Sequence, residues 1–290
     1  MPREPFTDTH VHFYDLGHPV LRWDWLAPEA EDPELGDYSA IKARRYWADD
    51  FVAETRFQNL DRVIHVSAVY GTEDVVDETR WLHAFAERIG VPHGIVAPCD
   101  LAAADAGDVL RRHREASPLV CGIRDLRYDG YLTDPAWCRG AALLTDLGLV
   151  LCDDPLVEQM PDLARLAEAN PGLTICVDHA GFPRHRDDEY FAAWRAGMAQ
   201  IAACDNTVVK ISGLGMIDHE WTADSLRAWV SSCIELWGAE RSFFGTNWPV
   251  DRLYSGYGDV LEAYWELIAD FSASERAALF HGNANRIFGL

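Results

Sequence analysis

Eight short runs of β-branched and aliphatic residues, each followed by a stretch with helical spacing, restrict what this chain can fold into. The runs cover residues 7–11, 62–69, 94–98, 120–124, 149–152, 174–178, 207–211 and 242–246. Each is nearly continuous in apolar character rather than alternating, as in strands covered on both faces. Residues 50–60, 72–89, 104–115, 134–147, 161–169, 187–204 and 223–237 carry the helical spacing, and 259–269 and 273–281 close the chain. Several open on Asp or Thr, which cap exposed N–H groups, and Gly90, Gly148 and Gly172 stand at stop positions. Eight β–α alternations predict a closed (β/α)8 barrel rather than an open sheet. A length of 290 residues with no Ser/Gly-rich linker makes residues 1–290 one domain. No Gly-x-Gly-x-x-Gly follows the first strand, so neither a dinucleotide nor a flavin is expected.

Composition narrows the partners. The formal net charge of −22 argues against nucleic acid and anionic membrane, although a few arginines can reverse the field inside a cleft. No apolar run is long enough to span a bilayer, and the first residues, Met-Pro-Arg-Glu-Pro-Phe, lack an apolar signal core. The seven cysteines form no Cys-x-x-Cys, and several sit in apolar strands, which reads as buried thiols of a reduced compartment. The expectation is a soluble cytoplasmic protein. Barrels of this kind often pair as homodimers, but the sequence carries no interface signal of its own.

The C-terminal ends of barrel strands converge on one mouth, and the residues there are unusually polar. Strand by strand they are His10 and His12; His65 and Ser67; Cys99 and Asp100; Arg124 and Asp125; Asp153 and Asp154; Asp178 and His179; Lys210 and Ser212; and Asn247. His10 and His12, two apart, point the same way in a strand, and two imidazoles on one face can bind a metal or polarise a substrate. His65 lies mid-strand and reads as a satisfied core group. Residues 14–48, with Trp23, Trp25, Tyr38, Tyr46 and Trp47, form a connection long enough to be functional, either an aromatic cap on the rim or a substrate lid.

The ordered set Asp-Thr-His-Val-His, Val-Asp-His-Ala-Gly, Lys-Ile-Ser-Gly-Leu, Phe-Gly-Thr-Asn-Trp-Pro-Val-Asp-Arg-Leu and Gly-Asn-Ala-Asn-Arg-Ile-Phe resembles the amidohydrolase superfamily. Within it the chain is most similar to the amidohydrolase-related branch, near the 2-pyrone-4,6-dicarboxylate lactonase and the sugar-lactone hydrolases. The resemblance implies a barrel of the metal-dependent-hydrolase type. It places His10 and His12 on first-strand histidines that bind metal in many members and touch substrate in metal-free ones. His179 falls on the sixth-strand histidine, a metal ligand or an orienter of the scissile carbonyl. Asn247 takes the place of an aspartate that is the general base on the attacking water.

That last departure matters, because a carboxamide has no charge and accepts no proton near neutral pH. It can still orient water or donate to a developing oxyanion. A charged base then comes from elsewhere, with Asp251, Asp153 and the histidines as candidates. Arg124, where a bridging lysine or glutamate would be needed, argues against a two-metal site. His10, His12 and His179 could hold one divalent metal, zinc first, or none.

Arg124 is the candidate for gripping a substrate carboxylate, with an internal pair to Asp125 or Asp153 as the alternative. Lys210 either binds an anion or pairs with a neighbouring acid. Arg127, Tyr128, Arg184 and Arg252 follow strand ends and can add to the pocket, with Trp25 and Trp248 as apolar walls. The reaction expected is hydrolytic opening of a lactone on a small carboxylated or polyhydroxylated substrate. His10, His12 and His179 would polarise the carbonyl while water attacks from the side of Asn247. A non-oxidative decarboxylase of the same branch, or a binding barrel without chemistry, are the alternatives.

Overall fold

The computed structural model describes residues 4–125, 127 and 130–290. Tyr128 therefore lies outside the described residues. Eight parallel strands run in the order β1 (Phe6–Val11), β2 (Leu60–Val66), β3 (Gly94–Pro98), β4 (Val120–Arg124), β5 (Val150–Asp153), β6 (Ile175–Val177), β7 (Thr207–Ile211) and β8 (Ser242–Phe244). Each pairs with the next in sequence. The ring closes one step past β8, where Trp248 bridges Val11. There the His12 N–H donates to the Trp248 carbonyl at 2.7 Å, and the Trp248 N–H to the His10 carbonyl at 3.2 Å. This is the (β/α)8 barrel that the alternation predicts.

Helices cover the outside where their spacing puts them. Asp134 caps Pro135–Leu147 by accepting from the Ala136 N–H at 2.8 Å, with proline at the first turn, where no N–H is needed. Asp187 and Thr222 cap Asp188–Ala202 and Ala223–Trp237 in the same way. Inside the barrel, Ile64, Val66, Val96, Val150, Cys152, Cys176, Val208 and Phe243 pack as one cluster with Ala284 and Phe288 of the last helix, Asn283–Phe288. All seven cysteines are free thiols. No helix among the described residues is long and apolar enough to cross a membrane.

Three expected strands end early, the eighth among them at Phe244 rather than at residue 246, and each shortening falls at the mouth. The second stops at Val66 instead of continuing to residue 69. The sixth gives way at Asp178 to a tight turn in which His179 and Ala180 hold left-handed φ of 52° and 54°. The first helix spans only Ala48–Glu54. The connection 14–48 carries a small antiparallel pair, Tyr14–Asp15 with Arg45–Tyr46, and is pinned by side chains: Tyr38 Oη donates to the Trp25 carbonyl at 3.1 Å and Tyr254 Oη to the Leu35 carbonyl at 3.0 Å. Its inner surface covers part of the mouth and belongs to the cavity described below.

Asp8 ties β1 to the segment after β8. It accepts from the Thr246 N–H at 3.0 Å, Thr246 Oγ1 at 2.6 Å and Tyr257 Oη at 2.8 Å. Burial still outweighs these bonds and lifts its pKa from 3.8 to about 6. A carboxyl raised on folding favours the native state below the unfolded value and loses that contribution as pH rises through the folded one. Between pH 3.8 and about 6 the loss comes to about 3 kcal/mol. Urea unfolding of Asp8→Asn should lack this part of the pH slope seen in the parent; parallel slopes would show that Asp8 ionises as freely folded as unfolded.

Candidate active site

A cavity of about 770 Å³ opens at the C-terminal ends of the strands, within the usual size for a small-molecule site. Strand ends supply His12, Ser67, Arg124, Asp154, His179 and Asn247. The cap supplies Trp25, Asp32, Glu34 and Leu35. Tyr70, Arg127, Phe182, Met216 and Val250 come from the other loops of the same rim. Four non-glycine residues with positive φ, His179, Ala180, Phe182 and Asn247, sit at the ends of β6 and β8. Such backbone is costly and tends to mark functional sites. Gly213, also at positive φ, admits the His179 ring: a Cβ there would come within 2.5 Å of His179 Nδ1.

The imidazoles are held in defined orientations and kept neutral. His12 Nδ1 donates to the Val66 carbonyl at 2.8 Å, and its Nε2 lies 3.3 Å from the Asn247 side chain. Burial, then the charge of Arg124, push its pKa down to about 3. His179 Nδ1 lies 3.0 Å from Ser212 Oγ, and burial followed by Arg124 and Lys210 hold this ring well below its ordinary value. His10 is wholly buried, its ring 4.2 Å from that of His179, and it does not line the cavity. Burial and the neighbouring His179 hold it low as well.

Around them lies a network of opposite charges. Asp178, also fully buried, sits 2.9 Å from Lys210 Nζ, 3.9 Å from Arg124 Nε and 3.7 Å from His10 Nδ1. Arg124 Nη2 reaches Asp154 Oδ1 at 3.4 Å. Burial raises the Asp154 pKa while Arg124 opposes the rise. Asp153 accepts from Tyr131 Oη at 2.6 and 2.7 Å through both oxygens and is lifted by burial to about 8. Asp251 is buried behind Asn247, and burial holds it well above the carboxylate range.

The structure thus brings His12, His179, Asn247, Arg124, Arg127 and Trp25 into one cavity. Lys210 and Trp248 take other places. Lys210 is fully buried against Asp178, the pairing alternative for this residue. Trp248 points away from the mouth and donates from Nε1 to Glu54 Oε2 at 3.1 Å, while its backbone closes the barrel. Arg124 pairs with Asp154 and Asp178 rather than with Asp125 or Asp153. Arg252 faces Glu54, and Arg184 is held to Glu34 at 2.6 Å. His65 is the satisfied core group expected of it, facing Glu78 at 3.2 Å and accepting from the Phe13 N–H.

The histidines do not make one metal-donor set. Among the described residues, the donor atoms that lie mutually within 4.8 Å belong to Cys152, Cys176 and Asp178, and the Lys210 ammonium already neutralises that group. His12 spends Nδ1 on a carbonyl and faces a carboxamide with Nε2. The two nitrogens of His10, which find no hydrogen bond, would suit a cation, but that ring stays outside the cavity. The three rings lie together, His10 with its centroid 4.9 Å from that of His12 and 4.2 Å from that of His179, but their donor atoms are not mutually within 4.8 Å among the described residues.

The comparisons with known proteins agree with the fold and with the ordered motifs. A family model described as "Amidohydrolase" matches residues 7–290. Protein y4mH of Sinorhizobium fredii is 34% identical over 289 residues, covering 96% of both chains. An L-fucono-1,5-lactonase of Burkholderia multivorans is 29% identical over 304 residues, covering 98% of this chain and 95% of its own. A solved amidohydrolase structure from Burkholderia multivorans with bound zinc superposes with a TM-score of 0.84 at 26% identity, over 99% of each chain. With its barrel, its strand-end histidines and a family match along almost its whole length, the chain belongs to the amidohydrolase family.

Proposed function

We propose that this amidohydrolase opens the ring of a neutral, polyhydroxylated lactone by hydrolysis. The observation that carries the reading is the charge balance of the cavity. Arg124 faces Asp154 and Asp178, and Arg127 faces Asp100 at 2.5 Å and Asp125 at 3.2 Å. Each cavity arginine already has carboxylate partners, so a substrate carboxylate would have to displace them. A sugar-like lactone instead brings hydroxyls that donate to Asp32, Glu34 and Asp154 and accept from the arginines, while Trp25, Tyr70 and Phe182 offer apolar faces to its ring carbons. The relative named an L-fucono-1,5-lactonase points the same way.

The reaction needs a donor set for the carbonyl oxygen and a proton acceptor for water. Arg124 and the Asn247 amide supply donors at the mouth. Asp154 is the acceptor: burial strengthens it as a base, whereas burial weakens the imidazoles. Water adds to the carbonyl carbon and gives its proton to Asp154. The ring C–O bond then breaks, and the same proton passes to the departing ring oxygen. His179, with Nδ1 taking the Ser212 hydroxyl, donates from Nε2 to the carbonyl as a neutral ring, while His12 steadies the Asn247 amide.

Purified protein should turn over a neutral aldonolactone, retain that rate in the presence of a chelator, and leave a pyrone dicarboxylate untouched. Turnover of the dicarboxylate alone would defeat the charge argument. Loss of all activity on chelation would restore a metal to the reaction.

A further inference from the structure

Two loose ends meet behind the cavity wall. Asn247 Nδ2 and Asp251 Oδ1 are both buried and both lack a hydrogen-bond partner among the described residues. They belong to side chains in reach of one another: burial raises the Asp251 pKa and an Asn247 side-chain hydrogen bond opposes the rise. Asp251 lies four residues beyond Asn247, with its own N–H donating to the Asn247 carbonyl at 3.2 Å.

His12 fixes how these ends join. Its Nδ1 sits 2.8 Å from the Val66 carbonyl, which only accepts, so Nδ1 carries the hydrogen. In a neutral imidazole Nε2 then presents a lone pair. The Asn247 group facing it at 3.3 Å is placed as Oδ1, which sets two acceptors against each other. Turning the carboxamide end for end changes its shape hardly at all and puts Nδ2–H on His12 Nε2. The same turn brings the amide oxygen to the side of Asp251, where a carboxyl O–H can donate to it. The second Nδ2 hydrogen is left for the cavity.

We propose that Asp251 is a positioning residue: by donating to Asn247 Oδ1 from behind, it holds the amide in the orientation that the His12 lone pair selects. The inference rests on the lactonase reading for the use made of the amide, not for its orientation. With nitrogen in front, Asn247 donates to the oxyanion that forms on the lactone carbonyl. With oxygen in front it would repel it. The acid absent from the end of β8 thus stands one turn further on and acts through the carboxamide that replaced it. The groups facing Asp251 agree with a protonated carboxyl: Asp8 from β1, Tyr264 from helix Tyr257–Leu267, and Tyr254 from its own turn. Burial holds it in that form.

The test compares Asp251→Ala with Asp251→Asn, whose amide N–H can still donate to Asn247 Oδ1. 15N NMR of His12 in the free protein should show Nδ1 protonated and Nε2 accepting a hydrogen bond. That Nε2 signature should survive in Asp251→Asn and vanish in Asp251→Ala. On a neutral aldonolactone, Asp251→Ala should lower kcat on the order of 100-fold with KM unchanged, as a misplaced donor does, while Asp251→Asn stays within a few-fold of the parent. An Nε2 signal indifferent to Asp251→Ala overturns the proposal, as does a folded Asp251→Asn that lacks the signature or the rate. If Asp251→Ala does not fold, the asparagine variant decides alone. A parent enzyme that opens no lactone yet shows the expected NMR pattern would sink the functional reading and leave this one standing.

Discussion

Asp154→Asn is expected to lower kcat on a neutral aldonolactone by about 10²–10⁴-fold, the range for loss of a general base. Asparagine keeps the shape and can still accept from Arg124, so binding should suffer far less than turnover. The parent should show an acid limb above the ordinary carboxylate value, because burial raises the Asp154 pKa more than Arg124 lowers it. The rate falls as pH drops through that raised value, where the carboxylate gains its proton and ceases to be a base. In Asp154→Asn the limb should be gone from the residual rate. Histidine limbs between pH 5 and 7 are not expected, since His12 titrates near 3 and both His10 and His179 lie well below their ordinary value. Steady-state kinetics across pH 4–9 reads all of this; an unchanged kcat in the variant would place the base on another residue.

The barrel was readable because its signal is local and repeated. β3, β4 and β7 lie where their apolar runs place them, since strands covered on both faces need continuous apolar sequence. The mouth was readable as a set of residues but not as a set of contacts. Arg124 at a strand end looks like a carboxylate receptor. Only the fold shows Asp154 and Asp178, from the next two strands, already turned toward it. Trp248 looks like a wall because it follows Asn247, yet the left-handed φ of 62° at Asn247 swings the chain so that the indole meets Glu54 instead. Asp32, Glu34 and Leu35 carry no local mark of function; they reach the cavity because the long connection folds back over it. Ser67 was counted among the strand-end residues, and it lines the cavity from just past its strand, which ends at Val66. Asp154 was visible as one of two adjacent acids, and nothing in the sequence distinguished it from Asp153, which Tyr131 screens.

Lys210→Met carries the largest stability effect expected of a single substitution here. The ammonium and the Asp178 carboxylate are both fully buried and 2.9 Å apart. Removing one partner leaves an uncompensated charge inside the barrel and typically costs about 3–5 kcal/mol. The nearby Asp178 holds the lysine charged and lifts its pKa, against the opposing pull of burial. A base raised on folding contributes fully below its unfolded value and loses that contribution only as pH climbs through the folded one. The cost of Lys210→Met should therefore be the same at pH 6 and pH 8.5. Lys210→Met with Asp178→Asn should recover much of the loss, because the buried charge goes with its partner. Urea unfolding of the three proteins separates these terms, and a cost below about 1 kcal/mol for Lys210→Met would mean that the pair behaves like a solvated one. The same substitution tests the site from below. Arg124 Nε is 3.9 Å from Asp178, so a carboxylate deprived of Lys210 draws the guanidinium away from Asp154. The folded fraction of Lys210→Met should then show a raised KM for a neutral lactone, since the paired charges that hold its hydroxyls no longer stand in register.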